Sequence, residues 1–89
     1  MQWYLVLLKI DPNHTFDVLQ NLKNLPENPT PGVNLRYSCN VFGTWDCCVW
    51  FEADNYDQAM SFIHKHIRTI PWVTETYAMP TTPIKEYKH

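Results

Sequence analysis

The side chains here with the types and spacing for chemistry are three cysteines, two histidines on one predicted helix, and one charge pair. Cys47 and Cys48 are adjacent, so on a strand they point to opposite faces and cannot easily serve one site. Together with Cys39 they fit no standard zinc-ligand spacing. The cysteine number is odd, Gln2 to Ile10 is too short for a secretory signal core, and no apolar run could cross a bilayer. Reduced, structural thiols in the cytoplasm are therefore expected. His64 and His66 lie about 200° apart around a helix axis, so they cannot chelate one metal together. Arg36 and Glu52 fall on neighbouring predicted strands, where they either pair with each other or, unpaired in a cavity, act as charged anchors. No nucleophile–base–orienter set is visible, so no catalytic residue is assigned, and no metal or cofactor is expected.

Charge and size narrow the partners. The formal net charge is −2 with His neutral, and Lys9, Lys23, Arg36, Lys65, Arg68, Lys85 and Lys88 are scattered. A phosphate backbone needs a clustered basic face, so neither nucleic acid nor membrane is an expected direct partner. At 89 residues the chain makes one domain. Such a domain buries roughly 60–65% of its unfolded surface, which is marginal without association or another support. Aromatic residues make up 15% of the chain, including four Trp, a share that implies cover by a partner or a ligand.

The positioning elements follow from periodicity. Trp3 to Leu8 is continuously apolar, as in a central strand buried on both faces, and Pro12 ends it. Asn13 or Thr15 can cap a helix to about Asn24, with Phe16, Val18, Leu19, Leu22 and Leu25 as its apolar stripe. Pro26 to Gly32 reads as a stiff loop. Val33 to Phe42 alternates, with Val33, Leu35, Tyr37, Cys39 and Val41 on one face and Asn34, Arg36, Ser38 and Asn40 on the other. Gly43 to Asp46 reads as a hairpin turn, and Cys47 to Ala53 returns as a strand. Asp54 or Asn55 caps a second helix carrying Tyr56, Ala59, Met60, Ile63, Ile67 and Ile70, and Pro71 stops it. Val73 to Met79 is the last strand, so residues 1–80 form the domain and 81–89 an extended tail.

The order βαββαβ predicts an α+β, ferredoxin-like domain: an antiparallel four-stranded sheet with both helices on one face. The other face is left bare. It should carry Asn34, Arg36, Ser38, Asn40, Cys48, Trp50 and Glu52, plus one side of the first strand. Such a face is too apolar for water, and a two-fold dimer, sheet against sheet, would cover it.

The segments Phe42-Gly43-Thr44-Trp45-Asp46, Phe62-Ile63, Ile67 and Ile70-Pro71-Trp72-Val73, followed by Thr76, resemble the ligand-sensing domain of the leucine-responsive regulator/AsnC family. That resemblance implies a dimeric α/β barrel that self-associates, as a homodimer or larger assembly, and binds small effectors such as amino acids in transcription regulation. It also implies a stand-alone domain, because the chain begins directly on the first strand. Carried over, it points to Gly43, Trp45, Asp46 and Thr76 as ligand-binding, and Asn34, Arg36, Asn40, Trp50 and Glu52 would line the dimer-face cavity. Asp46 has two readings, an anchor for a ligand ammonium or a turn aspartate bonding its own backbone. Trp45 either meets a ligand or fills a neighbouring subunit, and Gly43 supplies positive φ to a tight turn. Trp72 stands where the family has glycine. The competing reading is a dimeric α/β-barrel enzyme, such as a small monooxygenase or haem-handling protein, with the cavity as active site; no histidine is expected on that face.

Overall fold

The computed structural model describes residues 2–87. Strand β1 (Gln2–Ile10) leads through a 3-10 turn (Pro12–His14) into helix α1 (Thr15–Lys23). Strands β2 (Val33–Asn40) and β3 (Cys47–Ala53) form a hairpin, followed by helix α2 (Tyr56–Phe62), a π-helical extension (Ile63–Ile67) and strand β4 (Val73–Thr81). The sheet order is β2-β3-β1-β4 and every pairing is antiparallel, the ferredoxin-like arrangement expected from the element order.

The core lies on one side of the sheet. Tyr4, Val6, Leu8 and Ile10 of β1 alternate inward and meet Val49, Phe51 and Ala53 of β3. Val18 and Leu22 cover them from α1, Ala59, Phe62, Ile63 and Ile67 from the second helical segment, and Ile70 from the turn after it. Phe51 sits at the centre, stacked on Tyr4 at 5.5 Å and edge-on to Phe62 at 4.9 Å. Counting by helical period omits Phe62, yet it is fully buried, because adjacent residues 62 and 63 both fit within a wide apolar stripe.

Several local expectations change. Asp11, rather than Asn13 or Thr15, supplies the side-chain cap: its carboxylate accepts the Asn13 N–H at 2.9 Å, and the Thr15 hydroxyl donates to the Pro12 carbonyl. Phe16 is 73% exposed, since the 3-10 turn before α1 sets the rotation of the stripe. Tyr56 is also exposed, while Asn55, one of the two candidate caps, caps α2 by accepting the Gln58 N–H at 2.9 Å. Strand β4 continues through Pro80 to Thr81, which an edge strand tolerates because a proline there leaves no ladder bond unmade. Trp72 keeps the left-handed conformation usual for glycine, with φ 73°; its carbonyl accepts the Asp11 N–H at 2.9 Å and its ring stacks on His14 at 3.7 Å.

The largest correction concerns β2. Its register against β3 shifts between Leu35 and Tyr37, so that Arg36 is an extra, bulged residue. Beyond the bulge the faces are exchanged. Tyr37 pairs with Trp50 and Cys39 with Cys48 on the open face, while Ser38 and Asn40 pair with Val49 and Cys47 on the helix side. Asn40 therefore does not belong to the open-face set, and its Oδ1 lies 4.0 Å from the buried Cys47 Sγ.

Gly32 marks the closest approach of the loop to α2. It has φ 77°, its carbonyl accepts the Asp54 N–H at 2.9 Å, and a Cβ there would overlap the Gln58 carboxamide. Gly32→Ala is expected to lose about 1–2 kcal/mol in urea unfolding, from left-handed strain, since the flexible Gln58 side chain can move aside. Phe16→Ala should stay within about 0.5 kcal/mol of the parent, and a larger loss would place Phe16 in the core after all.

Candidate functional site

Two side-chain clusters stand outside the core. The first covers the open face across β2, β3 and β1. Trp3 and Trp50 lie 5.0 Å apart, and Tyr37 meets Trp50 edge-on, also at 5.0 Å. The Arg36 guanidinium sits 5.1 Å over the Trp3 ring and donates to Glu52 Oε1 from Nε at 3.0 Å and from Nη2 at 2.5 Å. Because the bulge places Arg36 and Tyr37 on the same side, one strand supplies both the cation and an aromatic wall here. Glu52 is 7% exposed, so its carboxylate depends on Arg36 for charge compensation. Asn34 pairs with Glu52 in register and accepts from the Asn28 side-chain amide. His14, His64 and His66 all lie on the helical segments, not on this face.

The second cluster is built where the β2–β3 turn folds over the end of β1. Asp46 holds that turn. Its N–H donates to the Leu8 carbonyl at 2.9 Å, its carbonyl accepts the Val41 N–H at 3.0 Å, and its Oδ2 accepts the Ile10 N–H at 2.9 Å. The carboxylate thus bonds backbone, but the backbone of β1 and not that of its own turn. Held this way, Trp45 stacks on Tyr77 at 6.2 Å, with Lys9 Nζ 5.5 Å from its ring centre and 3.4 Å from Glu75.

A cavity of about 660 Å³ runs along the outer edge of β4, lined by Trp45, Arg68, Val73, Thr74, Glu75, Thr76 and Tyr77. Arg68 Nε donates to Thr76 Oγ1 at 3.3 Å on the helix side of the strand. Glu75, Tyr77 and Trp45 stand on the other side. An edge strand offers unpaired backbone N–H and C=O groups, so the cavity combines a guanidinium, a hydroxyl, a carboxylate, two aromatic rings and free main-chain groups.

Of the residues singled out from the sequence, Trp45 and Thr76 share this cavity. Asp46 is engaged with β1, and Gly43, at φ 134° with open space where a Cβ would stand, shapes the turn. Arg68 was missed, because a helix-terminal arginine carries no sequence signal for its contact with a strand eight residues later. Among the described residues no group of three or more His, Cys, Asp or Glu side chains could hold a metal, and no helix is long and apolar enough to cross a membrane.

By sequence the chain matches no protein-family model and no curated protein. By structure it aligns with FFRP-DM1 at a TM-score of 0.74 and 23% identity, covering 92% of this chain and all of that one. It aligns with Escherichia coli AsnC at 0.76 and 13% identity, covering 98% of this chain and 56% of that one. A third neighbour is a transcriptional regulator from Neisseria meningitidis solved as its L-Met complex, at 0.74 and 13% identity, covering 99% of this chain and 53% of that one. The chain therefore shares its fold with FFRP-DM1 and with about half of AsnC. The chain spans the whole of FFRP-DM1 and about half the length of the two regulators.

The Arg36–Glu52 pair gives a direct test of the open face. Arg36→Ala strands a buried carboxylate and is expected to cost about 2–3 kcal/mol in chemical denaturation. The double change Arg36→Ala with Glu52→Gln should recover part of that loss. A cost for Arg36→Ala below about 0.5 kcal/mol would mean that the pair behaves as an ordinary surface contact.

Proposed function

We propose that this domain binds a small zwitterionic molecule of the amino-acid class at the β4 edge and self-associates through its open sheet face. The ligand then acts by binding one assembly state more tightly than another, which tunes the oligomer or a regulator associated with it. The observation that carries this reading is the shared cavity of Arg68, Thr76, Glu75 and Trp45 on an unpaired strand edge. A guanidinium suits a ligand carboxylate, a carboxylate suits an ammonium, and an indole beside them accepts an apolar side chain. The L-Met complex of a protein with the same fold supports the ligand class.

Self-association is supported by the composition of the open face. Trp3, Leu5, Leu7, Trp50 and Tyr77 share it and are only half-buried or exposed in the single chain. A continuous apolar surface of this kind on a small domain is stabilised when another surface covers it.

Light scattering on a sizing column should give a dimer or larger, and Leu5→Lys should shift it toward monomer. A thermal-shift screen over the protein amino acids should show at least one that raises the melting temperature. Arg68→Ala and Trp45→Ala should each weaken that ligand by about tenfold or more, roughly 1.4 kcal/mol. A monomeric parent would sink the assembly half of the proposal, and a screen without any shift would sink the ligand half.

A further inference from the structure

We propose that Cys39 and Cys48 form a reversible cross-strand disulfide on the open sheet face, a modification site whose oxidant is a low-molecular-weight disulfide. The pairing follows from the register. The bulge at Arg36 moves Cys39 onto the same face as Cys48 and sets the two directly opposite each other. Opposed residues of an antiparallel pair have Cα atoms about 4.5 or about 5.5 Å apart. Both separations fall within the roughly 4.4–6.8 Å that a disulfide spans. Cys47 is excluded by geometry: it is fully buried on the helix side, with its thiol toward Asn40.

The two members differ in access, and this orders the chemistry. Cys39 is exposed on edge strand β2, whereas Cys48 is buried beside it. The Cys39 thiolate attacks one sulfur of the small disulfide, forming a mixed disulfide and expelling one small thiolate, which takes up the proton that Cys39 lost. Cys48, deprotonated, then attacks the Cys39 sulfur, forms the protein disulfide and expels the second small thiolate. The protein gives up two electrons and two protons, and one small disulfide becomes two small thiols. Burial, and then the neighbouring Cys39, push the Cys48 thiol up from its ordinary range. Thiolate is the attacking form, so the closing step should accelerate as pH rises. The bond ties β2 to β3 between the bulge and the turn that carries Trp45 and Asp46. The inference is independent of the amino-acid reading of the β4 edge, and it requires Cys39, on edge strand β2, to stay open to solvent when the open face is covered.

The test is to incubate the full chain, in whatever assembly it adopts, with glutathione disulfide, then alkylate it and measure intact mass and peptide linkage. The expected product has lost two hydrogens, joins the Cys39 and Cys48 peptides within one chain, and leaves Cys47 alkylated. Dithiothreitol should reverse it, and the oxidised form should melt at a higher temperature. Cys47→Ser should still form the bridge. Cys48→Ser should stop at a glutathione adduct on Cys39, and Cys39→Ser, at an exposed position that leaves the fold unburdened, should form no bridge. A stable adduct on the parent protein, a bridge that uses Cys47, a bridge only between chains, or three unreacted thiols would each overturn the proposal.

Discussion

A central strand that is apolar on both sides, in a sheet covered on only one, is the constraint behind the rest of this molecule. β1 sends Tyr4, Val6, Leu8 and Ile10 into the core and Trp3, Leu5 and Leu7 to the opposite face. The helices can cover only the first set, because both connections return on the same side of the sheet. The second set must find its own cover. Part of it comes from within the chain: Arg36 lies over Trp3, Tyr37 braces Trp50, and Tyr77 and Trp45 shield the far end of the strand. The open face is therefore organised before any partner arrives.

Two irregularities do most of that organising. The extra residue at Arg36 turns a strand that would have shown four small or polar side chains outward into one that shows Arg36, Tyr37 and Cys39. It leaves the Arg36 counter-charge beside Glu52 and adds an aromatic wall for Trp50 and a thiol opposite Cys48. At the other end, two hydrogen bonds between Asp46 and β1 draw the hairpin turn over that strand, and a third, from the Val41 N–H, closes the turn itself. The buried register ties both features down, since a slip of one residue would move every side chain of the strand to the wrong face.

The turn before β4 shows a similar exchange of local strain for tertiary contact. Trp72 holds a backbone conformation that costs a non-glycine residue about 1–2 kcal/mol. Its carbonyl secures the chain after β1, and its ring is stacked on His14 at 3.7 Å. The side chain that makes the conformation unfavourable also supplies a compensating contact, so the turn survives without glycine. It delivers β4 in register beside β1, with its outer edge free and the Arg68 side chain within reach of Thr76.

The sequence by itself determined the element order, the ferredoxin-like class, a cap at Asp54 or Asn55 and the limits of β3, while which side of the doubly apolar β1 faces the core was left to the structure. The features it determined rest on periodicities and caps that operate within a few residues, where sequence spacing and spatial spacing coincide. Only the tertiary structure decided the faces of β2 beyond Arg36, because a bulge is defined by the partner strand and strict alternation has no term for it. It also decided that Asp46 bonds the end of β1 thirty-six residues away, that Arg68 joins Trp45 at the β4 edge, and that Cys39 faces Cys48. Each of these depends on which strands become neighbours and in what register, a balance struck by burial across the whole sheet and not carried by any local stretch of the chain.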